Sequence, residues 1–165
     1  MQPLGSPDSH HLQAAVGWLE LGNWSEANED LERITPQLRR HPDVLEVRWG
    51  VYASAKKWEE ALDIATALTQ LVPDHSEAWT HRSFALHELK RTREARENLL
   101  PIVDKFPDDY MIRYNLACYE CQLGNLKVAF QWLEKAIDLA GKEEIRLMAL
   151  EDRDLEPLWP DIGEI

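Results

Sequence analysis

The sequence predicts an all-α protein made of four copies of a two-helix repeat. Alanine recurs every 34 residues, at Ala27, Ala61, Ala95 and Ala129. Each alanine lies in an apolar, helix-forming stretch, and the positions around it recur without a gap. A fixed period of this length is typical of units that bury their apolar faces by stacking on one another. The predicted array covers residues 9–140, with repeats at about 8–41, 42–75, 76–109 and 110–141.

Two further positions mark the repeat. Its seventeenth position holds Trp24 and Trp58 in the first two copies, and Pro73 and Pro107 close the two middle copies. Proline has no amide hydrogen to donate and stops a helix. Each repeat therefore reads as two helices, here called helix A and helix B, followed by a stop.

Periodicity, glycine and proline place the helices in order. Helix A of the first repeat is predicted from about Ser9 to Leu21, after a flexible N-terminus over residues 1–8. Its helix B is expected to end near Thr35, because Pro36 and Pro42 flank the next turn. The second helix A starts at Pro42. The other helices are predicted at roughly 58–71, 76–89, 92–104, 109–122 and 126–140.

Residues 142–165 are predicted to form a C-terminal capping helix and tail. A repeat array without a cap would expose the face on which another repeat would sit. Residues 143–150 read as a short helix, and Leu155, Leu158 and Trp159 add three large apolar side chains. We interpret Trp159 as part of the cap. The alternative is that Leu158 and Trp159 form a short motif that docks into another molecule and gives a dimer or a filament.

The fourth copy, from Tyr114 to Gly124 and on through Ala129, resembles the tetratricopeptide repeat (TPR) family. The resemblance covers roughly residues 8–140. It implies a right-handed α-solenoid of helix-turn-helix pairs whose concave groove binds proteins or peptides. A narrower resemblance, to the bacterial kinesin-light-chain-like TPR proteins, would make a tubulin-like filament the partner.

By the same resemblance, the second, fifth, ninth and twelfth positions of helix A line the groove. The predicted partner-binding residues are Leu12, Val16, Leu19, Glu46, Gly50, Ala53, Glu77, Thr80, Phe84, His87, Met111, Tyr114, Cys118 and Cys121. The groove they form is apolar at both ends and acidic in the middle. It suits an amphipathic helix or extended peptide with apolar anchors and a basic residue between them. Gly50 is expected to leave room for a large side chain.

The groove positions argue against the TPR proteins that bind chaperones. Those proteins hold an acidic C-terminal peptide with a clamp of Lys, Asn and Arg, because carboxylates need charged donors. No Lys or Arg occupies the clamp positions here. In the two possible registers those positions hold Leu12, Val16, Val47, Glu77 and His81, or Glu46, Gly50, His81, Met111 and Asn115.

Charge and composition restrict the partners. Lys+Arg 18 against Asp+Glu 30 gives a net charge of −12. A surface of that sign repels nucleic acid and anionic lipid, so a protein or peptide partner is expected. No apolar run approaches the length of a membrane span. The first nine residues lack the basic and apolar regions of a signal peptide, and a cytoplasmic location is predicted.

The sequence offers no catalytic, cofactor or metal motif. Cys118 and Cys121 have the spacing of a redox pair but lie deep in helix A, away from the helix N-terminus that lowers a thiol pKa. No second Cys or His pair stands at zinc-ligand spacing. We interpret both cysteines as ordinary small groove residues.

The predicted function is that of a non-enzymatic adaptor or scaffold. Three alternatives remain open: a cytoskeletal adaptor for a tubulin-like filament, a TPR-type secretion chaperone, and a scaffold that self-assembles through its tail. Arg48 and Arg82 occupy a position that usually holds Leu, and Trp49 follows Arg48. We interpret the arginines as forming an interhelix ion pair or as covering Trp49 with their aliphatic stems. The alternative is a basic patch beside Trp49 that binds a partner's carboxylate.

Overall fold

The computed structural model of the protein describes residues 3–164, a range that contains ten α-helices and no strand. The α-helices are α1 (Asp8–Glu20), α2 (Trp24–Arg33), α3 (Pro42–Ser54), α4 (Trp58–Leu71), α5 (Ser76–Glu88), α6 (Thr92–Leu99), α7 (Tyr110–Gln122), α8 (Leu126–Ala140), α9 (Lys142–Glu151) and α10 (Trp159–Glu164). Three 3₁₀ segments join them, at Pro36–Leu38, Leu100–Lys105 and Arg153–Leu158. The all-α prediction is confirmed. Within residues 3–164, no helix has both the length and the apolar character needed to cross a membrane.

The chain divides into two compact units, Met1–Ala85 and Leu86–Ile165, here called the N-terminal and C-terminal units. The N-terminal unit contains α1 to α4 and the first ten residues of α5. In it α1 pairs with α2, and α3 pairs with α4. Ala27 and Ala61 are fully buried. A larger side chain at either place would have to displace its neighbours, because protein interiors are packed as densely as crystals.

The chain contacts this unit before α1 begins. Asp8 is the first residue of α1 and is buried. Its carboxylate accepts a 2.6 Å hydrogen bond from the amide of Thr35 and a 3.1 Å bond from the Thr35 hydroxyl. Leu4 packs against the core. The predicted flexible segment thus differs from the structure at Leu4 and Asp8, while Met1 and Gln2 lie outside the described residues.

Prolines set two helix boundaries. Pro42 is the first residue of α3, where His41 Nδ1 accepts from the amide of Asp43 at 3.3 Å. Helix B of the third repeat, predicted over 92–104, is α-helical only to Leu99 and continues as the 3₁₀ segment Leu100–Lys105. Pro101 explains the difference, since it has no amide hydrogen for the carbonyl of Glu97.

The fifteenth position of every repeat has a left-handed backbone. Gly22 and Gly124 occupy it in the first and fourth repeats, with φ of 73° and 82°. Lys56 and Lys90 occupy it in the second and third, with φ of 54° and 63°. Each residue ends helix A and turns the chain toward helix B, so the turn geometry follows the 34-residue period.

The C-terminal unit is built on the pairing of α7 with α8. Its tail is folded onto that pair. Helix α9 packs against α8, and the 3₁₀ segment Arg153–Leu158 packs against α7. Ile145, Leu155 and Ile162 are fully buried. Trp159 Nε1 donates to the carbonyl of Ala149 at 2.8 Å. The tail is therefore an integral part of this unit.

Candidate functional site

The helix A face of the N-terminal unit carries an open cleft of about 480 Å³. It is lined by Leu12, Val16, Pro42, Asp43, Glu46, Val47, Leu68, Val72, His75, Glu77 and Ala78. Four of the predicted groove residues, Leu12, Val16, Glu46 and Glu77, are brought together here. Val16 is 39% exposed, and Leu12 and Val47 are half-buried. The cleft therefore presents aliphatic side chains and carboxylates side by side.

The other predicted residues of this unit lie outside the cleft lining: Leu19, Gly50, Ala53, Thr80 and Phe84. The expectation that Gly50 leaves room for a large side chain is wrong. A Cβ atom at Gly50 would lie 3.1 Å from Cδ1 of Leu19, which already fills that space. Thr80 uses its hydroxyl within its own helix, as a donor to the carbonyl of Glu77 at 2.9 Å.

An aromatic cluster lies beside the cleft and orients one of its carboxylates. The ring of His81 stacks on Trp49 with centroids 3.7 Å apart, and its Nε2 lies 2.5 Å from Oε1 of Glu46. Phe84, 39% exposed, meets Trp58 edge to face at 5.6 Å. Because His81 is held by the Trp49 ring, its contact gives the Glu46 carboxylate a defined position.

Arg48 and Arg82, for which the sequence allows a structural or a partner-binding role, contact neighbouring helices. Nη1 of Arg48 lies 2.8 Å from Oε1 of Glu32 and donates to Asn28 at 3.4 Å. Nε of Arg82 donates to the Thr66 hydroxyl at 3.3 Å. The Arg48 contact is the expected interhelix ion pair and joins α3 to α2. The Arg82 contact is a hydrogen bond that joins α5 to α4.

In the C-terminal unit, the chain itself covers the predicted groove residues. Residues 152–158, here called the C-terminal segment, lie across the helix A face. Tyr114 donates its phenol hydrogen to Oδ2 of Asp152 at 3.0 Å, and the Cys118 thiol donates to the same oxygen at 3.5 Å. Nε2 of His87 lies 2.9 Å from Oδ2 of Asp154. All three groove residues are 6% exposed or less.

Further contacts complete this cover. The side-chain amide of Gln122 donates from Nε2 to the backbone carbonyl of Asp154 at 2.8 Å. Leu155 is fully buried, and Cys121 is 4% exposed. Met111 is half-buried at the start of α7, where its amide donates to Asp109. A partner can reach Tyr114, Cys118 or His87 only if the C-terminal segment leaves.

The ionisation of these groups follows from burial and from the aspartates. Burial raises the pKa of the Cys118 thiol well above its usual value, and the carboxylate of Asp152 raises it further. Burial, then Asp154, raises the pKa of Cys121. The thiols are therefore protonated, and a protonated thiol is a poor nucleophile. Burial also raises the pKa of Tyr114, which stays a donor.

Asp154 is shifted in the opposite direction. Its hydrogen bond with His87 lowers the pKa of the carboxyl below its usual value, and this effect outweighs burial.

The free cysteines Cys118 and Cys121 are both buried. Within residues 3–164, no group of three His, Cys, Asp or Glu side chains is placed to hold a metal ion.

The sequence predicts the tail as a cap but does not predict its contact with the helix A face. The signal was present in the order of residues: Asp152 and Asp154 precede Leu155, and the fourth helix A carries the donors Tyr114 and Cys118. Donors and acceptors on separate segments of one chain predict a contact only when the path of the chain between them is known.

No family model and no curated protein matches this sequence. Several solved structures are similar in fold. "MamA 41-end from Desulfovibrio magneticus RS-1" superposes with a TM-score of 0.73 at 18% identity, over 98% of this chain and 96% of that chain. "Crystal structure of MamA" gives 0.73 at 12%, over 84% and 81%. "MamA RS-1 ArsTM double mutant" gives 0.71 at 16%, over 81% and 75%. At these identities the likeness shows the fold alone, which is a TPR-like helical fold.

Proposed function

We propose that this protein is a non-enzymatic adaptor, and that the cleft of its N-terminal unit binds a segment of a partner protein. One observation carries the proposal. The helix A face of the C-terminal unit is filled by the C-terminal segment, whereas the helix A face of the N-terminal unit is open and presents aliphatic side chains. The TPR-like fold supports a protein as the partner.

The apolar lining of the cleft favours binding of a partner segment that covers it. Val16, Leu12 and Val47 expose aliphatic surface that water solvates poorly. Covering such surface contributes about 25 cal/mol for each Å² removed from water. A partner segment that lays two aliphatic side chains on this lining would therefore be held without a deep cavity.

Capture of partners from a lysate tests the proposal. The immobilised full-length protein is compared with Val16→Ser, which makes the lining polar, and with the matched control Leu147→Ser. Leu147 is 62% exposed on α9 of the C-terminal unit. A partner lost with Val16→Ser and kept with Leu147→Ser supports the cleft. A partner kept with both variants, at unchanged circular dichroism, contradicts it.

The alternative of self-assembly through the tail finds no support in the described geometry. Leu158 is 3% exposed, and Trp159 is hydrogen-bonded to the chain's own backbone. The filament-binding and secretion-chaperone alternatives stay predictions, as does a cytoplasmic location.

A further inference from the structure

We infer that the cleft of the N-terminal unit selects a partner segment that carries a basic residue between aliphatic side chains. This inference rests on the proposed function and adds the chemistry of the partner. Its basis is a reversal of polarity between equivalent positions of the repeat in the two units.

The C-terminal unit shows how a helix A face of this chain holds a segment. The fifth position of the fourth helix A, Tyr114, and the ninth, Cys118, donate to one carboxylate oxygen of Asp152. Leu155, three residues further along, is fully buried. The face thus offers two hydrogen-bond donors to one carboxylate, and the segment bound there buries its leucine.

The same positions of the second repeat, in the N-terminal unit, have the opposite polarity. The fifth position of the second helix A is Glu46, whose carboxylate oxygens accept hydrogen bonds. The ninth is Gly50, which has no side chain to donate. If a segment bound the second helix A as the C-terminal segment binds the fourth, the carboxylate equivalent to that of Asp152 would lie against the carboxylate of Glu46. A segment that binds this face has to donate instead, as Lys and Arg do.

Two more carboxylates line the same cleft as Glu46. Asp43 and Glu77 lie in the first turns of α3 and α5, where each also interacts favourably with a helix dipole. That interaction fades within the first turn, and Glu46 lies beyond it. The imidazoles that face these groups are His75 in the lining, His81 against Glu46, and His41, whose Nδ1 lies 3.7 Å from Oδ2 of Asp43. An ammonium or guanidinium group in this cleft would be attracted by the negative charge of its lining.

The aliphatic residues of the lining determine what flanks the cation. Leu12 and Val16 lie on α1, and Val47 lies on α3 beside Glu46. A basic residue held at Glu46 therefore has apolar surface next to it for its neighbours in the segment. The chain's own acidic C-terminal segment is excluded as an occupant, because Asp152 and Asp154 would face Glu46.

Two synthetic peptides test the inference on the full-length protein. The first has the sequence of residues 150–160, and the second is identical except that Asp152, Asp154 and Glu156 are each replaced by Lys. Calorimetric titration is run with wild type, with Glu46→Gln, and with Glu134→Gln. Glu134 is an exposed carboxylate on α8 of the C-terminal unit and serves as the matched control. Amide and methyl NMR shifts locate the bound peptide.

The expected result is that the lysine peptide binds at least about tenfold more tightly than the acidic one and shifts the signals of Leu12 and Val16. Glu46→Gln should weaken it about fivefold to tenfold, and Glu134→Gln should not. Equal binding of the two peptides, no binding of the lysine peptide, or no effect of Glu46→Gln would each overturn the inference.

The proposed function can fail separately from this inference. If Val16→Ser abolishes capture of a partner while the peptides bind equally, the adaptor function stands and the preference for a basic residue is wrong. If Val16→Ser leaves capture unchanged, the proposed function itself is wrong.

Discussion

The phenol of Tyr114 donates a 3.0 Å hydrogen bond to the carboxylate of Asp152, 38 residues further along the chain. This bond places the C-terminal segment on the helix A face of the C-terminal unit. It turns a surface that the sequence predicts as a partner site into a buried contact. The helix A face of the N-terminal unit, by contrast, carries an open cleft.

Tyr114→Phe should lower the free energy of unfolding by about 1 to 2 kcal/mol. The substitution keeps the ring and removes one of the two described donors to Asp152 Oδ2. Urea unfolding followed by circular dichroism measures the change. Tyr110→Phe, at the half-buried first residue of α7, is the control and should change stability by less. Equal stability of wild type and Tyr114→Phe would show that the bond does not hold the segment.

The contact between His87 and Asp154 should make stability depend on acid pH. The folded-state pKa of Asp154 lies below its value in an unfolded chain, which is about 3.9. The stabilisation is therefore fully present above about pH 4 and is lost as the pH falls through the folded pKa. Unfolding free energies measured from neutral to acid pH should fall less steeply for Asp154→Asn than for wild type. Parallel curves would contradict this.

Lys56→Gly and Lys90→Gly should each stabilise the protein. Both lysines have positive φ, at the repeat position where Gly22 and Gly124 have it too. A residue with a Cβ is strained there, and relief should add about 0.5 to 1 kcal/mol for each site, net of the greater freedom that glycine has in the unfolded chain. Thermal unfolding of the two variants is compared with that of Lys127→Gly, a helical position where glycine should destabilise. A loss of stability at Lys56 and Lys90 would contradict the turn geometry.

Gly50→Ala tests which of two opposing effects is larger. Alanine favours a helix interior by about 0.8 to 1 kcal/mol over glycine. Against this, its Cβ would lie 3.1 Å from Cδ1 of Leu19. Leu19 is half-buried, and its side chain can shift by a few tenths of an ångström. We expect a net gain of about 0.5 kcal/mol in chemical denaturation. Gly50→Leu, which needs much more space, should destabilise instead, and a loss of stability with Gly50→Ala would mean that Leu19 is fixed.

The 34-residue period explains why so much of the fold could be predicted from the sequence. The same pattern of residues occurs in all four copies, so each copy supports the helix bounds predicted for the others. The helices Trp58–Leu71 and Leu126–Ala140 have the predicted bounds in the structure. The α-helical end at Leu99 was not predicted, because Pro101 is local to one repeat. A residue such as Pro101, which occurs in one repeat only, does not contribute to the pattern shared by the four repeats.

The candidate site was less predictable, because it depends on contacts between distant segments. Val16 and Glu46 lie in the open cleft as their repeat positions indicate. Cys118 and Tyr114 have equivalent positions, yet they are buried by residues that belong to no repeat. A position in the repeat indicates which face a side chain occupies, but it does not indicate what else covers that face.

Hydrogen exchange of the full-length protein, alone and with its captured partner, tests the central claim most directly. The claim is that the partner binds the open helix A face of the N-terminal unit while the C-terminal segment stays in place. The account predicts added protection in α1 and α3 and unchanged exchange in α7 and in residues 152–158. Added protection confined to α7, with faster exchange in residues 152–158, would mean that the partner displaces the segment, and would contradict the account.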